Sequence, residues 1–82
     1  MIKPETVEVD REVEAAYVRY AKGVVAETVD VWKEGTVAAD VDAAGKVLGI
    51  EVLSFEDETL SRARSFAQEH DLAFPSRIGA PS

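Results

Sequence analysis

The valines of this chain are confined to its first two-thirds, and this feature restricts the fold more than any other. All twelve lie between Val7 and Val52, and none follows. β-Branched side chains pack well on a pleated sheet but lose rotamer freedom in a helix. We therefore predict strands up to about Val52 and a different kind of element beyond it.

Alternating polar and apolar residues predict four or five short strands. We place them at 6–10, 15–21, 24–32, 36–42 and 46–53. Lys22-Gly23 predicts a tight hairpin between the second and third strands, since glycine accepts a positive φ. Asp42 to Gly45 predicts a second turn, with Gly45 at the position of positive φ. The sequence thus indicates an antiparallel meander of hairpins.

One amphipathic helix is predicted after the sheet. Apolar residues and one histidine recur there at steps of three and four, namely Leu60, Ala63, Phe66, Ala67 and His70. This spacing indicates a helix over about 57–70, with Ser54 or Asp57 as its N-cap. We expect a single α+β domain over 1–75 and a flexible C-terminal tail over 76–82.

The size of the chain favours self-association. It has 82 residues and no cysteine, and a domain this small has a core of marginal stability. One helix covers one side of a sheet, so we expect a homodimer to bury the remaining apolar side chains. The valines and other apolar residues expected to need this cover are Val29, Val31, Val37, Val41, Leu48 and Ile50. Gly49 would need close cover by the helix or by a second subunit.

The charge of the chain argues against several classes of partner. The formal net charge is −7, and an acidic surface repels phosphate backbones and anionic lipids. This charge argues against nucleic acid as a partner, and no apolar run is long enough to span a membrane. We expect a cytoplasmic protein that needs no cofactor.

The sharpest chemical pattern is Asp40-x-Asp42-x-Ala44-Gly45 with Glu51, which matches several positions of an EF-hand loop. Ala44 lacks the oxygen that such a loop needs, and the flanks indicate strands rather than helices. Three interpretations of these carboxylates stay open. The carboxylates are solvated hairpin residues, or they form a weak divalent-metal site, or they contact a partner.

A second acidic group, Asp10, Glu12 and Glu14 near Tyr17, could supply a catalytic pair only if burial separated the pKa values. We expect a solvated turn instead.

Three further residues have both a functional and a packing interpretation. His70 is the only histidine and lies near the helix end, where we expect packing rather than catalysis. Trp32 and Tyr20, with Tyr17, could form a platform for stacked bases. Their neighbours are mostly acidic, so we expect core or dimer-interface packing.

Two stretches resemble a known family. The run from Val9 to Arg19 has an acidic turn, a small residue and a tyrosine, and the run from Ala39 to Leu53 has an Asp-x-Asp hairpin followed by Gly-Ile-Glu. Over about Thr6 to Ser54 the chain is similar to domain of unknown function family 2283, a set of small prokaryotic and phage proteins. This family usually has aspartate where the chain has Glu14. The resemblance implies a small antiparallel sheet with a helix, and it implies no activity.

Two functional hypotheses follow. The first is a small non-enzymatic interaction or regulatory module, homodimeric and able to bind a further protein partner that the sequence does not identify. The second is a weak divalent-metal-binding protein or small enzyme that uses Asp40, Asp42 and Glu51.

Overall fold

A computed structural model describes residues 1–78, which form a five-stranded antiparallel sheet followed by one helix. The elements are β1 (Thr6–Asp10), β2 (Ala15–Arg19), β3 (Glu27–Trp32), β4 (Val37–Val41), β5 (Val47–Val52) and α1 (Asp57–Glu69). The α+β fold class predicted from the valine boundary is confirmed. Residues 79–82 of the predicted tail lie outside the described residues, whereas Ile78 is only 3% exposed and packs on the core.

The order of the strands differs from a simple meander. It is β1-β2-β5-β4-β3, so β2 pairs with β5 and β3 lies at the far edge. The predicted hairpin at Lys22-Gly23 is therefore wrong. The chain instead crosses the end of the β4–β5 hairpin: the N–H groups of Tyr20 and Ala21 donate to the carbonyl of Leu48, and that of Ala26 donates to Val41. Gly23 packs closely there, since a Cβ on it would lie 3.2 Å from Leu48 Cδ2, a tighter contact than most.

The turn between β4 and β5 is built as predicted, around Asp42. Its carboxylate accepts hydrogen bonds from the N–H groups of Ala44 and Lys46, at 3.0 and 2.9 Å. Gly45 has a φ of +84° and donates its N–H to the Asp42 carbonyl. A side chain that accepts from the following N–H groups stabilises a turn locally. Asp42 therefore has a structural role in this hairpin.

The two faces of the sheet have different covers. Inward side chains of the central strands, such as Val18, Val37, Ile50 and Val52, are fully buried. The helix packs over β3, β4 and β5. The segment after the helix lies nearer β2, where the Tyr20 hydroxyl donates to the carbonyl of Ala73 at 2.8 Å. The opposite face has no helix over it among residues 1–78.

The premise that the helix leaves these six apolar residues uncovered is wrong for three of them. Val37 and Ile50 are 0% exposed and Leu48 is 4% exposed. Val31 and Val41 are half-buried, and Val29 is 37% exposed. Leu48 is covered by the crossing segment at Gly23. The homodimer stays a prediction, and it needs a different physical basis.

The helix begins at Asp57, as expected, but its N-cap is neither of the two predicted residues, Ser54 and Asp57. Glu56 is the N-cap residue but makes no side-chain capping bond, and the Ser54 hydroxyl accepts from the N–H of Glu56. The helix ends beside Asp71, whose φ is 58°. Carbonyls in the last turn of the helix accept hydrogen bonds from the N–H groups of His70, Asp71 and Leu72. Within residues 1–78 no helix is both long and apolar enough to cross a membrane.

Candidate functional site

A polar network occupies the middle of the face opposite the helix. The register places Tyr17 opposite Glu51, Gly49 opposite Asp40, and Asp40 opposite Thr28. Residues paired directly across an antiparallel ladder share a face. These five residues, from four neighbouring strands, therefore lie on one side of the sheet, and we call them the polar-face network.

Gly49 provides the space in which the ring of Tyr17 lies. A Cβ built on Gly49 would collide with the phenol ring and its hydroxyl. The ring thus crosses β5 and reaches the next strand. We expected the helix or a second subunit to cover this glycine, and that expectation is wrong because a neighbouring side chain covers it.

The carboxylate of Asp40 accepts hydrogen bonds from two hydroxyl groups, one on β2 and one on β3. Tyr17 donates to Oδ2 at 2.8 Å, and Thr28 donates to Oδ1 at 2.7 Å. Hydrogen bonds to an ionised acceptor are stronger than those between neutral groups. The Asp40 carboxylate therefore joins β2, β3 and β4 across the sheet surface.

The environment keeps the Tyr17 hydroxyl protonated. Burial, and then the hydrogen bond to the Asp40 carboxylate, raises the pKa of Tyr17 to about 12. Burial likewise raises the pKa of Tyr20 to about 12. A general acid or base works best when its pKa lies near the operating pH. These tyrosines are suited to donating structural hydrogen bonds.

The three residues of the metal hypothesis have separate surroundings. Asp40 accepts from two hydroxyls, Asp42 accepts from two backbone N–H groups in the turn, and Glu51 is exposed opposite Tyr17 and Ala38. In residues 1–78, no three His, Cys, Asp or Glu side chains come together in a way that could hold a metal ion. The structure thus connects Asp40 to hydroxyl groups rather than to other carboxylates.

The second acidic group forms an exposed turn. Asp10 accepts hydrogen bonds from the N–H groups of Glu12 and Val13, at 3.1 and 3.4 Å. Glu14, the position where the family usually has aspartate, is exposed with a φ of 54°. Aspartate tolerates this left-handed conformation better than most side chains do. The carboxylates here close a turn and face solvent.

The lone histidine and the tryptophan pack against neighbours. His70 is the C-cap residue, and its ring centroid lies 4.4 Å from that of Phe66. Trp32 is half-buried, with Lys33 Nζ 4.5 Å and Arg62 Cζ 5.6 Å from its ring centroid. Cations near an indole face are attracted to it. Trp32 therefore has cationic neighbours that the sequence only partly indicated.

Sequence reasoning missed Thr28 and the contact between Tyr17 and Gly49. Thr28 lies in β3 opposite Asp40. This contact depends on the register between β3 and β4, which the sequence alone does not determine. Tyr17 and Gly49 occur in separate stretches that resemble the family. A tyrosine in one stretch and a mid-strand glycine in the other were a signal that the two stretches pack together.

Comparison with known proteins identifies the family and no activity. No curated protein and no solved structure is significantly similar to the chain. A family model described as "Protein of unknown function (DUF2283)" matches residues 6–55, from β1 to just after β5. This range contains all the residues of the polar-face network. The resemblance noted from the sequence is confirmed, and the chain belongs to the DUF2283 family of proteins of unknown function.

Proposed function

We propose that this protein is a small interaction module that acts as a homodimer, with the two copies paired along β1. A binding role is favoured over catalysis because the aspartates of the two candidate sites already accept hydrogen bonds within the fold. Both carboxylate oxygens of Asp40 accept hydrogen bonds from hydroxyl groups. The carboxylates of Asp42 and Asp10 accept hydrogen bonds from backbone N–H groups in turns. We expect the module to work in the cytoplasm, and the absence of cysteine agrees with this location.

The observation that carries the proposal is the off-centre position of the helix. It packs over β3, β4 and β5, and makes no contact with β1. Val7 and Val9 point to the same side as the core, because they pair with Val18 and Ala16. They are nevertheless 42% and 39% exposed. Two inward-facing valines at an open edge form a surface that a second sheet could cover.

The backbone of β1 is also available for pairing. All five residues are exposed, and among residues 1–78 the strand is bonded on one side only, to β2. An edge strand offers unpaired N–H and C=O groups to another chain unless charged side chains, proline or a bulge protect it. β1 contains no proline and no lysine, and its pairing with β2 shows no bulge. Its charged side chains are Glu8 and Asp10, which face away from the valines. By contrast, the other edge strand, β3, has a register irregularity between Asp30 and Trp32.

Symmetry determines the register of the proposed pair. Two copies of one strand pair antiparallel around a twofold axis, which makes the interface self-complementary. Only an axis through Glu8 aligns all five residues of β1 with the partner copy. Val7 then lies opposite the partner's Val9, and both helices lie on the same side of a ten-stranded sheet. The four valines bury one another beside the axis.

Light scattering at micromolar concentration tests the proposal. We expect a mass near twice 8.9 kDa for the unmodified chain. Replacing both Val7 and Val9 by lysine should give a monomer, because charges at an edge oppose strand pairing. The circular dichroism spectrum should stay unchanged, since both side chains are already partly exposed.

A matched control uses two other exposed valines. Val24 and Val29 are 86% and 37% exposed, and Val29 belongs to the opposite edge strand. Lysine at both positions should leave the dimer intact. A monomeric unmodified chain would refute the proposal, and so would a dimer lost only in the Val24 and Val29 variant.

A further inference from the structure

A small cleft lies where the β4–β5 hairpin, the end of the helix and the N-terminal segment meet. Its volume is about 220 Å³. The floor is apolar and buried, formed by Tyr20, Val47 and Leu72, which are 5%, 6% and 4% exposed. Ile2 and Ala21 complete the apolar wall. This volume is below that of a pocket for a drug-sized ligand, so it suits a short apolar chain.

Two basic side chains line this cleft, which is unusual in so acidic a chain. They are Lys46 and His70, and among residues 1–78 no carboxylate lines it. Lys46 makes no ion pair within residues 1–78, where Lys33 pairs with Glu58. A second cleft, on the polar face, is lined instead by Glu8, Asp10 and Glu51. An anion is therefore favoured in the first cleft and disfavoured in the second.

The polar groups beside the cleft are already satisfied. The Asp42 carboxylate, in the same turn as Lys46, accepts two backbone N–H groups. The hydroxyl of Tyr20 donates to Ala73, and burial raises the pKa of Tyr20 to about 12, so its ring contributes a neutral surface. Carbonyls at the end of the helix accept N–H groups from the residues that follow. Lys46 and His70 are thus left as the groups that can meet a ligand's charge.

We propose that this cleft binds a small carboxylate with a short apolar chain, such as a short fatty acid. The chain lies against Tyr20, Val47 and Leu72, and the carboxylate faces Lys46 and His70 at the rim. The apolar floor supplies contact area, and the two basic groups select an anion over a neutral molecule of the same length. The proposal is independent of the dimer, because it uses no residue of β1.

Amide chemical shifts of the full-length chain, titrated with hexanoate and separately with 1-hexanol, test the proposal. We expect hexanoate to shift the amides of Ala21, Val47 and Leu72 and to bind about fivefold more tightly than hexanol, since a charge-assisted contact at an exposed rim has this size. Absence of shifts at millimolar hexanoate would refute the site. Equal affinities for the two probes would refute the role of charge.

Variants separate the charge at the rim from the cavity itself. Lys46→Gln should weaken hexanoate binding about threefold to fivefold and leave hexanol unchanged. Lys22→Gln, which removes a lysine that does not line this cleft, is the matched control and should bind as the unmodified chain does. Ala21→Leu should fill the cleft and abolish binding of both probes. Unaltered hexanoate binding in the Ala21 variant, with its amide spectrum otherwise preserved, would contradict the location.

Discussion

At the scale of single residues, the ring of Tyr17 explains why glycine occupies the middle of β5. A glycine inside a strand has no side chain to pack and loses more conformational freedom than alanine does. Here Gly49 leaves the space that the Tyr17 ring occupies on its way to Asp40. The cost of the glycine is offset by the contact and hydrogen bond that it permits.

This arrangement predicts that the effect of Gly49→Ala changes sign with the residue at position 17. In the unmodified chain, the added methyl collides with the ring, and we expect a loss of about 1–3 kcal/mol in the free energy of unfolding. In a Tyr17→Ala background, the same substitution should stabilise the fold by about 0.5–1 kcal/mol. Urea unfolding of the four proteins measures the coupling. A loss of equal size in both backgrounds would show that the ring is not the cause.

The sequence showed that Gly49 needed cover but not which group supplies it. Local pattern identified the strand and the face, because alternation depends only on neighbouring residues. The identity of the covering side chain depends on which strand pairs with β5. That strand is β2, which lies about thirty residues earlier in the chain, and no local signal determines the pairing.

At the scale of elements, the turns show which predictions sequence supports. The Asp42 to Gly45 turn was predicted because side-chain capping and a positive φ are local properties, and both are present. Lys22-Gly23 has the composition of a turn but belongs to a crossing segment. Gly23 in this segment packs closely against the side chain of Leu48. A glycine required for space and one required for its φ look the same in a sequence.

The start of α1 offers a second test at this scale. Glu56 has the extended backbone of an N-cap, φ −62° and ψ 147°, but no side-chain capping bond. Aspartate keeps the charge and has the shorter side chain that bonds an N–H of the first turn. We expect Glu56→Asp to raise the free energy of unfolding by about 0.5–1 kcal/mol. Glu12→Asp, in an exposed turn, is the matched control, and an equal gain there would show that capping is not responsible.

At the scale of the whole molecule, negative charge is the property that opposes assembly. The chain has a net charge of −7, and among residues 1–78 the one ion pair joins Lys33 and Glu58 at 3.8 Å on the surface. Such exposed pairs contribute little to stability. Most carboxylates are therefore uncompensated, and association of two copies must overcome their repulsion.

The proposed twofold axis concentrates this repulsion at one residue. Glu8 is the middle residue of β1, so the register that pairs all five residues places it opposite the partner copy's own Glu8. Around it on the same face lie Asp10 in β1, Tyr17 and Arg19 in β2, and Glu51 in β5. Only Arg19 among them is cationic. Like charges directly across a ladder destabilise the pairing, typically by less than about 1 kcal/mol.

Glu8→Gln should therefore tighten the dimer about twofold to fivefold, and added salt should change the dissociation constant less in this variant than in the unmodified chain. Glu27→Gln is the matched control, because it removes the same charge from the other edge strand. Both variants lower the overall repulsion equally, so a larger effect for Glu8 locates the axis at that residue. Equal effects of the two substitutions would mean that the copies associate through a surface that does not bring the two Glu8 side chains together. The Glu8 carboxylate opposes dimerisation more strongly than the Glu27 carboxylate only if it lies directly opposite its copy in the partner.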